Sequence, residues 1–304
     1  MLIDTHCHLH DREFFSETQA EEMLKRAGEN GVRRIICIGT SHEDSLAARE
    51  FAKGRPGVYW TYGVHPENAN KAEAPDSHSG PRRSLPSTKV VCSSSLRKDE
   101  QARLSLASSG SLPWGLRANS RVAALRNAPS RESGASGPIG IGEVGLDYHY
   151  DGYDREAQIR LFEEMLQLAV DNDLPVSFHI REAFSDFFPV IANFPKVRGV
   201  VHSFSDSKKN LRRILEETDF YVGVNGMATY STLPTPPLER ILLETDAPFL
   251  TPVPFRGIIN ESGYIRNIAE WLSARLATDF NTVERETTKN AEQLFRFDGA
   301  VIQA

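Results

Sequence analysis

The chain has 304 residues, of which 40% are hydrophobic and 25% charged, with a formal net charge of −6. This is the composition of an ordinary folded protein that can bury a core, and it excludes general disorder. The negative sign argues against a protein that coats nucleic acid through a broad basic field, because such binders neutralise many phosphates with clustered lysine and arginine.

The first residues, Met1-Leu2-Ile3-Asp4-Thr5-His6, enter a strand-like run at once, without the charged and apolar regions of a signal peptide, so none is expected. Further short apolar runs follow at 34–39, 58–64, 139–143, 176–179, 199–202, 220–224 and 241–246, after the first at 2–6. Helical periodicity lies between them, clearest from Asp154 to Val170 and also after Thr18, Glu43, Arg181, Ser207, Gly263 and Thr282. Thr282 is the expected cap of the last helix. Alternating strands and helices predict an α/β chain with a parallel sheet, and eight strands predict a (β/α)8 TIM barrel spanning residues 1–304 as a single domain.

Residues 71–137 interrupt this rhythm. They are rich in Ser, Pro, Gly and Arg and carry 11 lysines and arginines against 5 acids, a net of +6 that leaves −12 for the remainder. They are expected to form a flexible, largely irregular insertion after the third strand, on the rim that carries barrel active sites, where Ser-rich insertions mostly extend into solvent. Arg117 to Asn127 offers the helix that belongs between strands three and four. Between strands seven and eight, Met227 to Pro237 is short and holds Pro234, Pro236 and Pro237, so the helix due there is expected to be lost.

No apolar run approaches the roughly 18 residues of a membrane span. Cys7, Cys37 and Cys92 are odd in number and far apart, which suits a reducing, cytoplasmic setting better than a disulfide framework.

The residues with chemistry cluster at predicted strand ends. His6 and His8 flank Cys7, and their spacing places both imidazoles on one face of an extended chain, with Cys7 turned toward the helices. Glu143, His179, His202 and Asp246 each end another predicted strand. In a barrel these ends meet on one rim, so six potential ligands gather in one cleft. Divalent cations supply the charge such a cluster needs, whereas six separate caps or core histidines would each need its own explanation.

His6-Cys7-His8, Gly63-Val64-His65-Pro66, Gly142 to Tyr148, His179-Ile180-Arg181, His202-Ser203-Phe204-Ser205 and Glu244-Thr245-Asp246-Ala247-Pro248 resemble, in order, the signature blocks of the TatD-related deoxyribonucleases. The resemblance implies an amidohydrolase-type barrel that hydrolyses phosphodiester bonds with two divalent metal ions, Mg2+, Mn2+ or Zn2+, degrading single-stranded DNA from its 3' end. It implies that His6, His8, Glu143 and Asp246 hold one metal and that Glu143, His179 and His202 hold the second, with Glu143 bridging and Asp246 accepting a proton from water. His65 and Arg181 are expected to hold phosphate oxygens, and Ser203 and Asp147 to assist them. Tyr148, His149 and Tyr150 offer rings either to a nucleobase or to the barrel top. The segment Arg256 to Gly263 is less basic than the family's usual loop.

Two other functions compete. One is an amidohydrolase or lactonase on the same barrel, whose relatives bridge their metals with a modified lysine where Glu143 stands here. The other is a noncatalytic isoform acting through its basic insertion. A monomer is the expected state.

Overall fold

The computed structural model describes residues 1–69 and 137–303. Among these residues eight parallel strands pair in sequence order: β1 (Leu2–Cys7), β2 (Val32–Cys37), β3 (Val58–Tyr62), β4 (Gly140–Asp147), β5 (Val176–Arg181), β6 (Gly199–Val201), β7 (Tyr221–Val224) and β8 (Ile241–Leu243). A bridge from Cys7 to Ala247 returns the end of β8 to β1, which curls the sheet into the expected (β/α)8 barrel. The helices are α1 (Glu17–Glu29), α2 (His42–Ala52), α3 (Arg155–Asp171), α4 (Phe184–Ile191), α5 (Lys208–Glu217), α6 (Ile265–Arg275) and α7 (Phe280–Phe295). The expected insertion lies, up to Ser136, outside the described residues, as do the helix expected over 117–127 and Cys92. No helix of the described residues is long and apolar enough to cross a membrane.

Side chains that accept the free amides of a first turn fix where these helices begin. Ser16, Ser41, Asp154, Ser207 and Asp279 all do this. The cap expected at Thr282 is therefore corrected to Asp279, whose Oδ1 accepts the Thr282 amide at 3.0 Å while the Thr282 hydroxyl donates to Oδ2 at 2.6 Å. A carboxylate also complements the positive end of the helix, so α7 starts earlier, at Phe280. Between β7 and β8 only short 3-10 turns occur, at Gly226–Thr229 and Leu238–Arg240, as the prolines without amide hydrogens imply.

Strand ends depart from expectation where the candidate ligands lie. β4 does not stop at Glu143 but runs on to Asp147, and its register against β5 shifts between Ile141 and Val144. A local irregularity of this kind re-aims side chains, here the Glu143 carboxylate. Gly145, with φ of 153°, lets the two strands close up, because a Cβ there would sit 2.0 Å from the His179 carbonyl oxygen. β8 in turn ends at Leu243, which leaves Glu244 to Asp246 on the rim loop, Asp246 with a left-handed φ of 59°.

Packing holds this frame. Ile3, Ile36, Val200 and Leu242 from four strands, with Ile38 and Ile139 beside β2 and β4, join Ala291, Leu294 and Phe295 of α7 in one buried cluster. On another side Phe178 of β5 meets Phe162 of α3 at 6.1 Å, Phe187 of α4 at 5.5 Å and Phe220 at 4.8 Å, distances suited to aromatic edges and faces. Phe162 is fully buried and distant in sequence from the candidate ligands. Phe162→Ala should cost about 3–5 kcal/mol of stability, seen as a lower thermal midpoint, and an unchanged midpoint would contradict this packing.

Candidate metal centre

Extended backbone from the end of β1 into the next residue points His6 and His8 to the same side, and both rings are anchored through Nδ1. His8 Nδ1 meets the Ile38 carbonyl at 3.1 Å, and His6 Nδ1 meets the Ser177 hydroxyl at 3.2 Å. A nitrogen facing a carbonyl must donate, which leaves His8 Nε2 to offer a lone pair. Cys7 between them is buried, as expected, with its thiol donating to the Ile36 carbonyl.

The Glu143 carboxylate has two different faces. Its Oε2 lies 3.5 Å from His6 Nε2 and 3.9 Å from His8 Nε2. Its Oε1 lies 2.7 Å from His179 Nδ1, 3.8 Å from His202 Nε2 and 3.8 Å from His65 Nε2. Asp246 Oδ1 completes the cluster at 3.6 Å from both His6 Nε2 and His8 Nε2 and 3.8 Å from His202 Nε2. All six expected ligands therefore meet, although their parent residues span most of the chain.

These separations fit a cation. Two ligand atoms at about 2.1 Å from one tetrahedral ion stand roughly 3.4 Å apart, close to most of these donor spacings and too long for direct hydrogen bonds. The buried His6 Nε2 has no hydrogen-bond partner. Among the described residues three groups have donor atoms within 4.8 Å of one another: His6, Glu143 and His202; His6, His8 and Asp246; and His65, Glu143 and His179. His65, expected among the substrate contacts, thus also stands where it can bind a metal.

Burial and charge set the protonation of this cluster. For His202, burial alone would lower the pKa, but Glu244 and Asp246 outweigh it and push it up to about 10. His179 goes the same way, to about 9, because Asp147 and Glu143 overcome its burial. Burial lowers His65 to about 4. Burial would raise Glu143 and Asp246, yet the surrounding imidazoles hold both carboxyls below their usual range.

The model of the family described as TatD related DNase matches residues 3–296. The chain belongs to this TatD-related DNase family. It is 28% identical over 307 residues to a protein of Bacillus subtilis named uncharacterized metal-dependent hydrolase YabD, covering 98% of this chain and 100% of that one. It is 26% identical over 290 residues to the Erwinia tasmaniensis protein named 3'-5' ssDNA/RNA exonuclease TatD, covering 90% of this chain and 93% of that one. The crystal structure of YjjV, a TatD homologue of Escherichia coli, matches with a TM-score of 0.71 at 26% identity, over 97% of this chain and 98% of that one.

Other residues of the TatD-type blocks fall around the cluster in unequal ways. Arg181 avoids Glu182 and Asp186 and instead places its guanidinium 5.2 Å from the Tyr150 ring centroid. Asp186 is taken by Arg155 and by the Tyr148 hydroxyl, and Tyr148 stacks on Tyr153 at 4.5 Å, whereas His149, paired with Glu182 at 2.7 Å, and Tyr150 are both exposed. Asp147 and Ser203, expected among the substrate contacts, are engaged with protein groups. Asp147 Oδ2 accepts from His179 Nε2 at 2.8 Å, and the Ser203 hydroxyl accepts from Asn225 Nδ2 at 2.8 Å. A buried carboxylate bound to an imidazole is suited to orienting that ring and repels an anionic phosphate.

Sequence reasoning passed over Glu244, Asn225 and Asp4. Fully buried Glu244 takes the Ser203 amide on Oε1 at 2.7 Å and sets Oε2 3.1 Å from His202 Nδ1, an ion-pair contact rather than an aligned hydrogen bond. Its carboxylate fits a cradle at Gly223, where a Cβ would come within 2.4 Å of Oε2. Asp4 receives the Thr245 amide at 2.9 Å and hydroxyl at 2.6 Å, and burial raises its carboxyl to about 7. The available signal was spacing: Asp4 precedes His6, and Glu244 precedes Asp246, by two residues.

The protons on His179 and His202, raised above the ordinary histidine value, stabilise the metal-free protein fully below about pH 6.5, and that stability is lost as pH rises through their folded values of about 9 and 10. Chelator-treated protein should therefore melt at progressively lower temperature from pH 7 to pH 10, and added metal should release protons on binding, measurable by calorimetry in buffers of different ionisation heat. Glu244→Gln should weaken metal binding about 10- to 100-fold in the same titration, and unaltered affinity would remove Glu244 from this role.

Proposed function

We propose that this chain is a metal-dependent hydrolase of phosphodiester bonds, a deoxyribonuclease that shortens single-stranded DNA in the 3'-to-5' direction with two divalent cations, Mg2+, Mn2+ or Zn2+. The observation that carries the reading is the divided environment of Glu143, whose Oε2 faces His6 and His8 while Oε1 faces His179 and His202. Similarity to proteins named metal-dependent hydrolase and 3'-5' ssDNA/RNA exonuclease adds support.

In this reading His6, His8, Glu143 and Asp246 would hold one cation, and Glu143, His179 and His202 the other. When bound, such a pair lowers the pKa of a water and neutralises charge on the attacked phosphate. Asp246, kept ionised by His202, His8 and His6, is the carboxylate that would accept a proton from an attacking water. Asp147 and Glu244 hold the rings of His179 and His202 from behind. Arg181 reaches a nonbridging phosphate oxygen from the rim, and His65 either does so or joins the ligands. An amide or lactone hydrolase is less well supported, because a glutamate occupies the fourth-strand position where a modified lysine is expected.

The test is cleavage of an end-labelled single-stranded oligonucleotide with Mg2+ or Mn2+. Glu143→Gln should fall to the no-enzyme background with unchanged circular dichroism, and EDTA should silence the native protein. Cleavage that survives either treatment would sink the mechanism.

A further inference from the structure

Exposed apolar side chains are common singly, but here their placement is uneven. Eight of the ten large hydrophobic residues exposed among the described ones lie on loops that follow β1, β4, β7 or β8, the rim that carries the candidate ligands, and only Met1 and Leu46 lie elsewhere. Four of the eight mark two places on this rim. In the first, Phe14 after β1 meets Phe249 after β8 edge to face at 5.3 Å, and Tyr230 after β7 carries the Arg256 guanidinium 3.8 Å from its ring centroid. This group adjoins the cleft: the Phe249 amide bonds the Asp246 carbonyl at 2.8 Å, and the Asp246 charge reaches the Tyr230 phenol. In the second, Tyr150 after β4 lies beside Arg181 at the end of β5, which donates to its hydroxyl at 3.3 Å. In a closed eight-stranded barrel the β8/β1 seam and the β4/β5 pair are opposite one another, so the groups belong to opposite sides of the rim that carries the candidate ligands.

The charge balance calls for such surfaces. Outside residues 71–137 the chain carries −12, so its overall field repels a polyanion. Affinity for a single strand must then come from local contacts that the field does not cancel. Rings take any base by its face, and a guanidinium lying on a ring offers a stacking plane together with donors for the adjoining phosphate.

We propose that these two groups are nucleobase platforms on either side of the scissile phosphate, so that the site takes strands whose base faces are free. The proposal rests on the phosphodiesterase reading for what lies between the platforms, but base binding can be measured without cleavage. A duplex end hides its base faces within the stack and gains little from either platform, which makes strand selection a consequence of stacking.

The experiment is a cycle of ring and base deletions on the full chain. Binding of fluorescein-labelled single-stranded oligonucleotides is followed by anisotropy in a Glu143→Gln background, with normal bases or with abasic tetrahydrofuran units at the terminal positions. Phe249→Ala and Tyr150→Ala should each weaken binding of the normal strand about 5- to 100-fold, and Phe249→Trp should retain it. On the abasic strand the alanine changes should cost far less, because ring and base act as one contact. Equal losses on both strands, or no loss on the normal strand, would overturn the platforms. So would a shift in sedimentation of the Phe249→Ala variant from dimer to monomer with binding unaltered, which would make the patch an interface between copies. Cycle coupling in a native protein that cleaves no oligonucleotide would keep the platforms and discard the phosphodiesterase reading.

Discussion

A carboxylate buried among imidazoles is costly unless its charge is matched, and Glu143 is placed so that nearly every neighbour answers it. His6 and His8 approach one oxygen, His179, His202 and His65 the other. Protons on His179 and His202 neutralise the metal-free cluster, which is why these rings titrate high while Glu143 and Asp246 titrate low. Divalent cations bound there would perform the same neutralisation with more charge at the same points, so protons and metals would compete for one set of atoms. Stability, metal affinity and the availability of a base are in this sense one electrostatic problem.

The outer contacts keep that problem solvable. Ser177 and the Ile38 carbonyl hold His6 and His8 by Nδ1, Asp147 holds His179 by Nε2, and Glu244 faces His202 Nδ1. Asn225 and Ser203 tie the loops after β7 and β6 to Glu244, and Asp4 ties Thr245 to β1. Each of these rings is thus oriented by a partner on another strand or at its end, and the barrel's hydrogen-bonded closure fixes the set. Loss of the helix between β7 and β8 leaves this network intact, because its members sit at strand ends rather than on the outer layer.

Outside the cluster the rim combines two opposed tendencies. A net negative chain discourages diffuse attraction of nucleic acid, while Arg181 and Arg256, each laid on a tyrosine ring, concentrate positive charge at two places beside the cleft. Such an arrangement favours a ligand that brings both flat apolar surfaces and phosphates in close alternation.

The alternation of apolar runs and helical periodicity was enough to count eight strands, and the six candidate ligands at or near their ends were enough to single out a cluster that the fold does bring together, because barrel topology forces strand ends to converge wherever they lie in the sequence. Local chemistry also foretold the missing helix between β7 and β8 from its prolines. Other features depended on three-dimensional contact: that β4 passes Glu143 and kinks there against β5, that Asp147 and Ser203 turn to His179 and Asn225, that Arg181 lies on Tyr150, and that Glu244 is fully buried behind His202. Periodicity reports which face of an element a residue occupies, but the partner it finds there belongs to another strand and is set only when the sheet closes.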